Sequence, residues 1–395
     1  MDTDRTLVTF EDGDVLLKLS SSVTMQLHAA VLRRNSKLLS ELVAEECSAI
    51  LTPQAKNKGV RIRYRLELVE RPPMGQVGAG KLIRVELDDN GRVIDDIEGK
   101  PRRHALPDLE NGKIPHPIYK HYANVIGAYY NREIILDHSS ITPLLHDALM
   151  LLEVASYLGS ISVVSKSIDL ALLNQGQTLY RSIQTNPTAW IKLAHQLKSE
   201  ILFQEALIHL VGSYNSLTAD QKSELSNDVM TLIDKKHLEL LARSQDLEAK
   251  VFRLYPRSMR RDATLQEVGR AAYSSDIYAW IALCVLRHWL GDQIAMDRGH
   301  HAPDGGYALY CKLAQGGMAY IDRTDLGPFF GMFPMSVKAK ACVENCVLEI
   351  KELVRRMVEG SKLLNSNLAL DVGKYGVDYL TDVKVAKGEF PWLKG

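Results

Sequence analysis

Cysteine is scarce in this chain: Cys47, Cys284, Cys311, Cys342 and Cys346 are the only 5 in 395 residues. An odd, sparse set with no paired zinc spacing excludes a disulfide scaffold and predicts a reducing compartment, cytosol or nucleus. Net charge is lacking too. The 48 Lys and Arg balance 48 Asp and Glu, so no global field draws the protein toward nucleic acid or anionic lipid, and direct nucleic-acid binding is not expected. Long apolar runs are missing. The stretch 281–286 falls far short of the roughly 20 residues a membrane-spanning helix needs, so no membrane association is expected. The opening MDTDRTLVTFEDGD is acidic where a signal peptide is basic and then apolar, so no targeting segment is expected. No serine stands in a G-x-S-x-G turn, and Gly78-Ala79-Gly80-Lys81 is too short for a phosphate loop. No catalytic or cofactor-binding residue is assigned, and the chain is read as non-enzymatic.

What is present is an ordinary globular composition, 46% apolar and 24% charged, in a chain long enough for two or three packed units. Residues 14–19 and 23–28 read as a strand hairpin. From 29 to 50 the apolar positions Val31, Leu32, Leu38, Leu39, Leu42 and Val43 recur at helical spacing, with Asn35-Ser36 as a helix end and a new N-cap. Helical periodicity disappears over 51–117, which reads as an insertion. Within it VRIRYRLELVE and KLIRVELDD alternate with period two across a Pro/Gly-rich turn. Apolar stripes then predict helices over 119–131, 141–158, 160–173, 189–214 and up to about Phe252. A last helical unit runs from 274–290 to 337–364, its halves separated by a Gly-rich loop at 297–334.

In order, Asp14-Val15, His28-Ala29-Ala30-Val31-Leu32 with Ser36, the Tyr122 to Tyr130 helix and Leu151-Leu152-x-x-Ala155-x-Tyr157-Leu158-Gly159 make the region resemble a BTB/POZ domain. Leu39 stands where that family usually has an aromatic. The stretch 177–214 resembles the helical BACK region that follows many such domains, and the whole resembles a fungal-type protein of that kind. The resemblance implies an α+β fold. A BTB/POZ domain over 1–175, a small sheet covered by helices, would carry a β-rich insertion at 51–117. A BACK-like region over 176–255 and an all-α domain over 256–395 would follow. It implies an adaptor that forms homodimers through the surface around Asp14, His28, Val31, Leu32, Arg34 and Leu39. Possible partners are a cullin-type ubiquitin ligase scaffold and an unknown client. A BTB-containing transcriptional or chromatin-associated regulator is the alternative.

Asp14 and His28 are close enough in the hairpin to form a charge-assisted hydrogen bond, either as part of a recognition pocket or as a structural pair. His300 and His301, with Asp297 nearby, are the most metal-like cluster, and they keep a metal-dependent enzyme open as a second alternative, against a polar surface loop. Cys342 and Cys346 share a helix face without a redox signature. Arg61, Arg63 and Arg65 alternate on one strand, and Lys100-Pro101-Arg102-Arg103-His104 adds a second basic cluster: a polyanion site or nuclear signal, or a solvated face that discourages edge pairing. In LGPFFGMF, Phe329, Phe330 and Phe333 either dock a loop onto the helical unit or contact a partner.

Overall fold

The computed structural model describes residues 7–94, 109–110, 114–256 and 270–393. It is a mixed α+β chain with a small sheet near the N-terminus and an α-helical C-terminal region. Its contacts divide into two compact units, Met1–Leu179 and Tyr180–Gly395. Among the described residues no helix is long and apolar enough to cross a membrane.

The first unit is organised by a four-stranded sheet of order β2-β1-β3-β4, with β1 at Val15–Lys18, β2 at Thr24–Leu27, β3 at Tyr64–Glu70 and β4 at Lys81–Val85. The β1–β2 hairpin pairs Val15 with Leu27. Val15 and Leu17, two apart, are buried on one face, as period two requires. β3 runs parallel to β1, with Tyr64 opposite Val15. The segment expected as an insertion therefore lies inside the sheet: its hairpin forms, but β3 is hydrogen-bonded on both sides. The β3–β4 turn needs Gly80, at φ +75°, because a Cβ there would stand 2.3 Å from the carbonyl oxygen of Glu70.

Helices α1 (Ala29–Asn35) and α2 (Lys37–Leu42) meet at Ser36. Its Oγ accepts the N–H of Leu39 at 3.0 Å and donates to the carbonyl of Leu158 at 2.6 Å. Sequence periodicity locates this cap correctly. After the short helix α3 (Pro53–Asn57), α4 (Ile118–Tyr129), α5 (Ile141–Tyr157) and α6 (Ile161–Leu173) pack against one another. Tyr122, Val125, Leu151 and Ala155 are buried.

The second unit is built mainly of helices. α7 (Gln177–Thr185) leads to α8 (Pro187–Leu197) and α9 (Glu200–Gly212), which were expected as one helix over 189–214. Lys198 takes the left-handed conformation at φ 56° and Ser199 Oγ accepts the N–H of Leu202, so the chain stops and restarts there. α10 (Ala219–Ser223) precedes the long α11 (Asn227–Phe252), and α12 (Arg270–Ala295), α13 (Tyr307–Gln315), α14 (Arg323–Met332), α15 (Val337–Ser361) and α16 (Val372–Tyr375) follow. The stretch expected as a Gly-rich loop thus holds two helices. Its glycines sit at helix ends, Gly306 before α13 and Gly316 after it, both at positive φ. α15 packs on α11, α12 and α13. The segment 363–393 closes the unit, burying Leu363, Leu370, Leu380, Val383 and Phe390.

Candidate interaction surface

The residues expected to form an N-terminal recognition surface separate into different roles. Asp14 does not pair with His28. Its Oδ1 accepts the backbone N–H of Ala29 at 2.7 Å, at the start of α1. His28 instead reaches Asp12 through Nε2 at 3.2 Å, and its backbone N–H donates to the Tyr130 hydroxyl at 2.9 Å. The strand offset carries the carboxylate past the ring to the helix end, where unpaired N–H groups attract it. Leu32 and Leu39 are fully buried, so they are core residues rather than surface contacts. Val31 is half-buried and Arg34 exposed.

The metal-like cluster is also dispersed. His300 Nδ1 lies 2.7 Å from Glu248 Oε2, and Tyr310 donates its hydroxyl to Glu248 Oε1 at 2.7 Å. The ring of His301 lies tilted beside that of His300, the centroids 4.1 Å apart, while Asp297 occupies an exposed left-handed turn. Among the described residues no group of three or more His, Cys, Asp or Glu side chains is placed to hold a metal. Burial, followed by the Glu248 carboxylate, holds the Tyr310 hydroxyl far above its ordinary pKa. Glu248 thus ties α11 to the 299–310 turn, a role invisible in the sequence because its partners lie 52 and 62 residues away.

Of the arginine stripe, only Arg65 lies in β3, where it pairs with the buried Glu67. Arg63 lies over the Tyr64 ring at 5.9 Å. The Lys100 to His104 cluster falls outside the described residues.

The aromatic sequence around Phe329 does form a coherent surface. Asp322 starts α14 with a capping box: Oδ1 accepts the N–H groups of Thr324 and Asp325, and Asp325 Oδ2 accepts that of Asp322. The turn before it is held by the buried Lys351, whose Nζ donates to the carbonyls of Gly317 at 2.7 Å and Ile321 at 2.9 Å. Burial lowers the Lys351 pKa. The ammonium also lies 4.9 Å from the ring of Tyr320, which stacks on Trp289 at 4.7 Å.

From this base α14 turns only Leu326 into the core. Phe329 and Phe333, one turn apart, bring their ring centroids to 5.1 Å, and Phe330 lies 5.7 Å from Phe329. Lys340, in the first turn of α15, sits 5.4 Å from the Phe330 ring. Met332, Phe333 and Val337 are 75%, 57% and 86% exposed. The segment is therefore a helix rather than a loop; its aromatics pack on one another, Phe329 and Phe330 half-buried and Phe333 exposed.

Comparison with known proteins places this surface. The family model of the FF domain, in its fungal form, matches residues 256–360. That span includes α12, α13, α14 and all but the last residue of α15. No curated protein matches the chain, and no solved structure does. The match lies outside residues 1–175 and is to the FF domain, not to a BTB/POZ domain. It overturns the BTB/POZ and BACK-like resemblances, and with them the dimerising adaptor, the cullin scaffold and the BTB-type regulator. Part of the chain is similar to the FF domain, a protein-interaction module.

Proposed function

We propose that this is a non-enzymatic interaction protein that binds a partner protein through the exposed aromatic face of α14 and the start of α15. The observation that carries this reading is the coincidence of two independent facts. Met332, Phe333 and Val337 are exposed beside the half-buried rings of Phe329 and Phe330, at the end of a capped helix and the start of the next, and this group falls inside the segment similar to the FF domain. Water-exposed rings of this kind are unfavourable unless covered. Burying Phe333 or Met332 against a partner would contribute on the order of 1.5–3 kcal/mol each. The five cysteines are all unpaired, which supports a reducing location, cytosol or nucleus.

The test is affinity capture with the full chain against the full chain carrying Met332→Ser and Phe333→Ser. The reading expects a partner retained by the first and lost by the second, with unchanged circular dichroism and melting temperature. An identical set of captured proteins would overturn it.

A further inference from the structure

The chain fills one aromatic site of its own, and the way it does so differs along the closing segment. Upstream, the backbone is locked. The carboxylate of Glu205 on α9 accepts the N–H groups of Ala369 at 2.8 Å and Leu370 at 3.0 Å. Arg243 on α11 binds both the carbonyl and the carboxylate of Asp382. Tyr379 reaches His209 Nδ1 at 2.7 Å.

Residues 384–393 are held differently. Their described backbone hydrogen bonds are local, Glu389 to Ala386 and Leu393 to Phe390; among the described bonds none joins their backbone to a helix. Side chains do the work. Glu389 sets one carboxylate oxygen 2.7 Å from Lys235 Nζ and the other 2.8 Å from Lys236 Nζ. Phe390 and Trp392 stack at 5.1 Å and meet the buried Phe203 ring edge-on at 5.9 and 5.1 Å. His195 on α8 lies 5.9 Å from Trp392. Pro391 lies between the two aromatics and limits the backbone freedom lost on docking.

A segment whose described contacts with the surface it covers are one carboxylate and two rings can be replaced by a chain that carries the same three groups. We propose that the face formed by His195, Phe203, Lys235 and Lys236 is a recognition groove for partner segments bearing a carboxylate followed by two aromatic residues. Residues Glu389 to Trp392 occupy it as an intramolecular competitor. The groove lies on α8, α9 and α11, outside the segment similar to the FF domain, and is independent of the α14 surface.

The experiment uses a fluorescein-labelled peptide of residues 384–393 and the full chain, wild type or with Phe390→Ala and Trp392→Ala. A tethered competitor acts at an effective concentration on the order of millimolar, so the double variant should bind the peptide about 10-fold or more tighter than wild type. The same peptide carrying Glu389→Lys should not bind. A folded double variant that binds no better than wild type would overturn the proposal. Should the double variant fail to fold, hydrogen exchange on wild type decides. With about 1 mM unlabelled peptide the amides of 384–393 should exchange faster as they are displaced; exchange unmoved by the peptide would equally overturn it.

Discussion

The second unit builds two aromatic clusters from the same kinds of side chain and leaves them in opposite states. Phe203, Phe390 and Trp392 interlock, with Phe203 and Phe390 buried. Phe329, Phe330 and Phe333 pack on one another with Phe333 largely exposed. The difference lies in the neighbours. Around Phe203 the unit supplies two lysines and a histidine that fix an incoming carboxylate and ring, and the chain supplies the segment that uses them. Around α14 the carboxylates of Asp322 and Asp325 serve the capping box, and Phe333 and Met332 stay exposed. A filled cluster contributes to stability, whereas the exposed one is free to serve the proposed binding role. Substitutions should separate those two roles.

The largest separation is expected between Phe203→Ala and Phe333→Ala. Truncating a fully buried phenylalanine removes transfer energy and leaves a cavity, so Phe203→Ala should cost about 3–5 kcal/mol in urea unfolding. Phe333→Ala should stay within about 0.5 kcal/mol of wild type, as surface substitutions usually do, while abolishing partner capture. A Phe333→Ala variant as unstable as Phe203→Ala would show that the α14 cluster is core after all, and the contrast would collapse.

Gly212 gives the next largest effect, on the filled side alone. A Cβ at this position would stand 2.4 Å from the Tyr379 ring and 2.5 Å from the Leu380 carbonyl oxygen. Helix α9 can accept the closing segment only at a residue without a side chain. Gly212→Ala should destabilise by about 1–3 kcal/mol through overpacking, readable as a lowered urea midpoint. A neutral result would mean that the segment yields there, and would weaken the distinction between its locked and exchangeable parts.

Acid should act on the filled side as well. Burial lowers the His209 pKa to about 4. Its Nε2 makes no hydrogen bond among the described residues and lies 3.9 Å from Glu205 Oε1. A folded-state pKa below the unfolded one makes the unfolded chain the stronger proton binder. Stability is thus fully present above about pH 6.5 and falls as pH drops toward 4. In the first unit His121 behaves alike: burial lowers it to about 4 against the opposing pull of Asp147. Urea titrations between pH 7 and 4 should therefore show declining midpoints, and His209→Gln should flatten the decline. Glu389 titrates lower. Burial raises its pKa, but Lys235, Lys236 and the Ala386 N–H outweigh that and hold it at about 2. The stability it contributes persists above about pH 4.5 and is lost toward pH 2.

How much of this was legible in the sequence follows from how local each feature is. The β1–β2 and β3–β4 hairpins, the Ser36 cap and the helices on either side of it are set by period, turn and cap residues a few positions apart. The parallel pairing of β1 with β3 is not, because its register joins positions such as Val15 and Tyr64 with no local signal. The α14 surface was half legible. Leu326, Phe329, Phe330 and Phe333 have helical spacing, but Gly327 and Pro328, in the middle of α14, read as a loop. Pro328 in fact lies inside α14, where it gives up the N–H that would otherwise bond the Thr324 carbonyl. The BTB/POZ resemblance failed for a physical reason too: Leu151, Ala155 and Leu158 are spaced as in any buried helix, so that pattern reports burial rather than kinship. Glu205 and Glu248 were unreadable, since what they bind lies far along the chain.

The smallest effects concern the lysines beside the two clusters, and they probe the comparison most finely. Lys235 is well exposed, and Glu389 keeps the buried Lys236 as its second partner. An exposed ion pair gains little because water competes for both charges. Lys235→Ala should therefore leave the urea midpoint nearly unchanged, yet it removes one of two charges that position the carboxylate. The double variant with Phe390→Ala and Trp392→Ala should lose part of its peptide affinity when Lys235→Ala is added, with a weaker salt dependence of the remainder. Lys340→Ala beside Phe330 should be equally silent in urea, and silent in peptide binding too, because the α14 face and the groove are separate surfaces. A Lys340→Ala change that altered peptide binding would join the two clusters into one site.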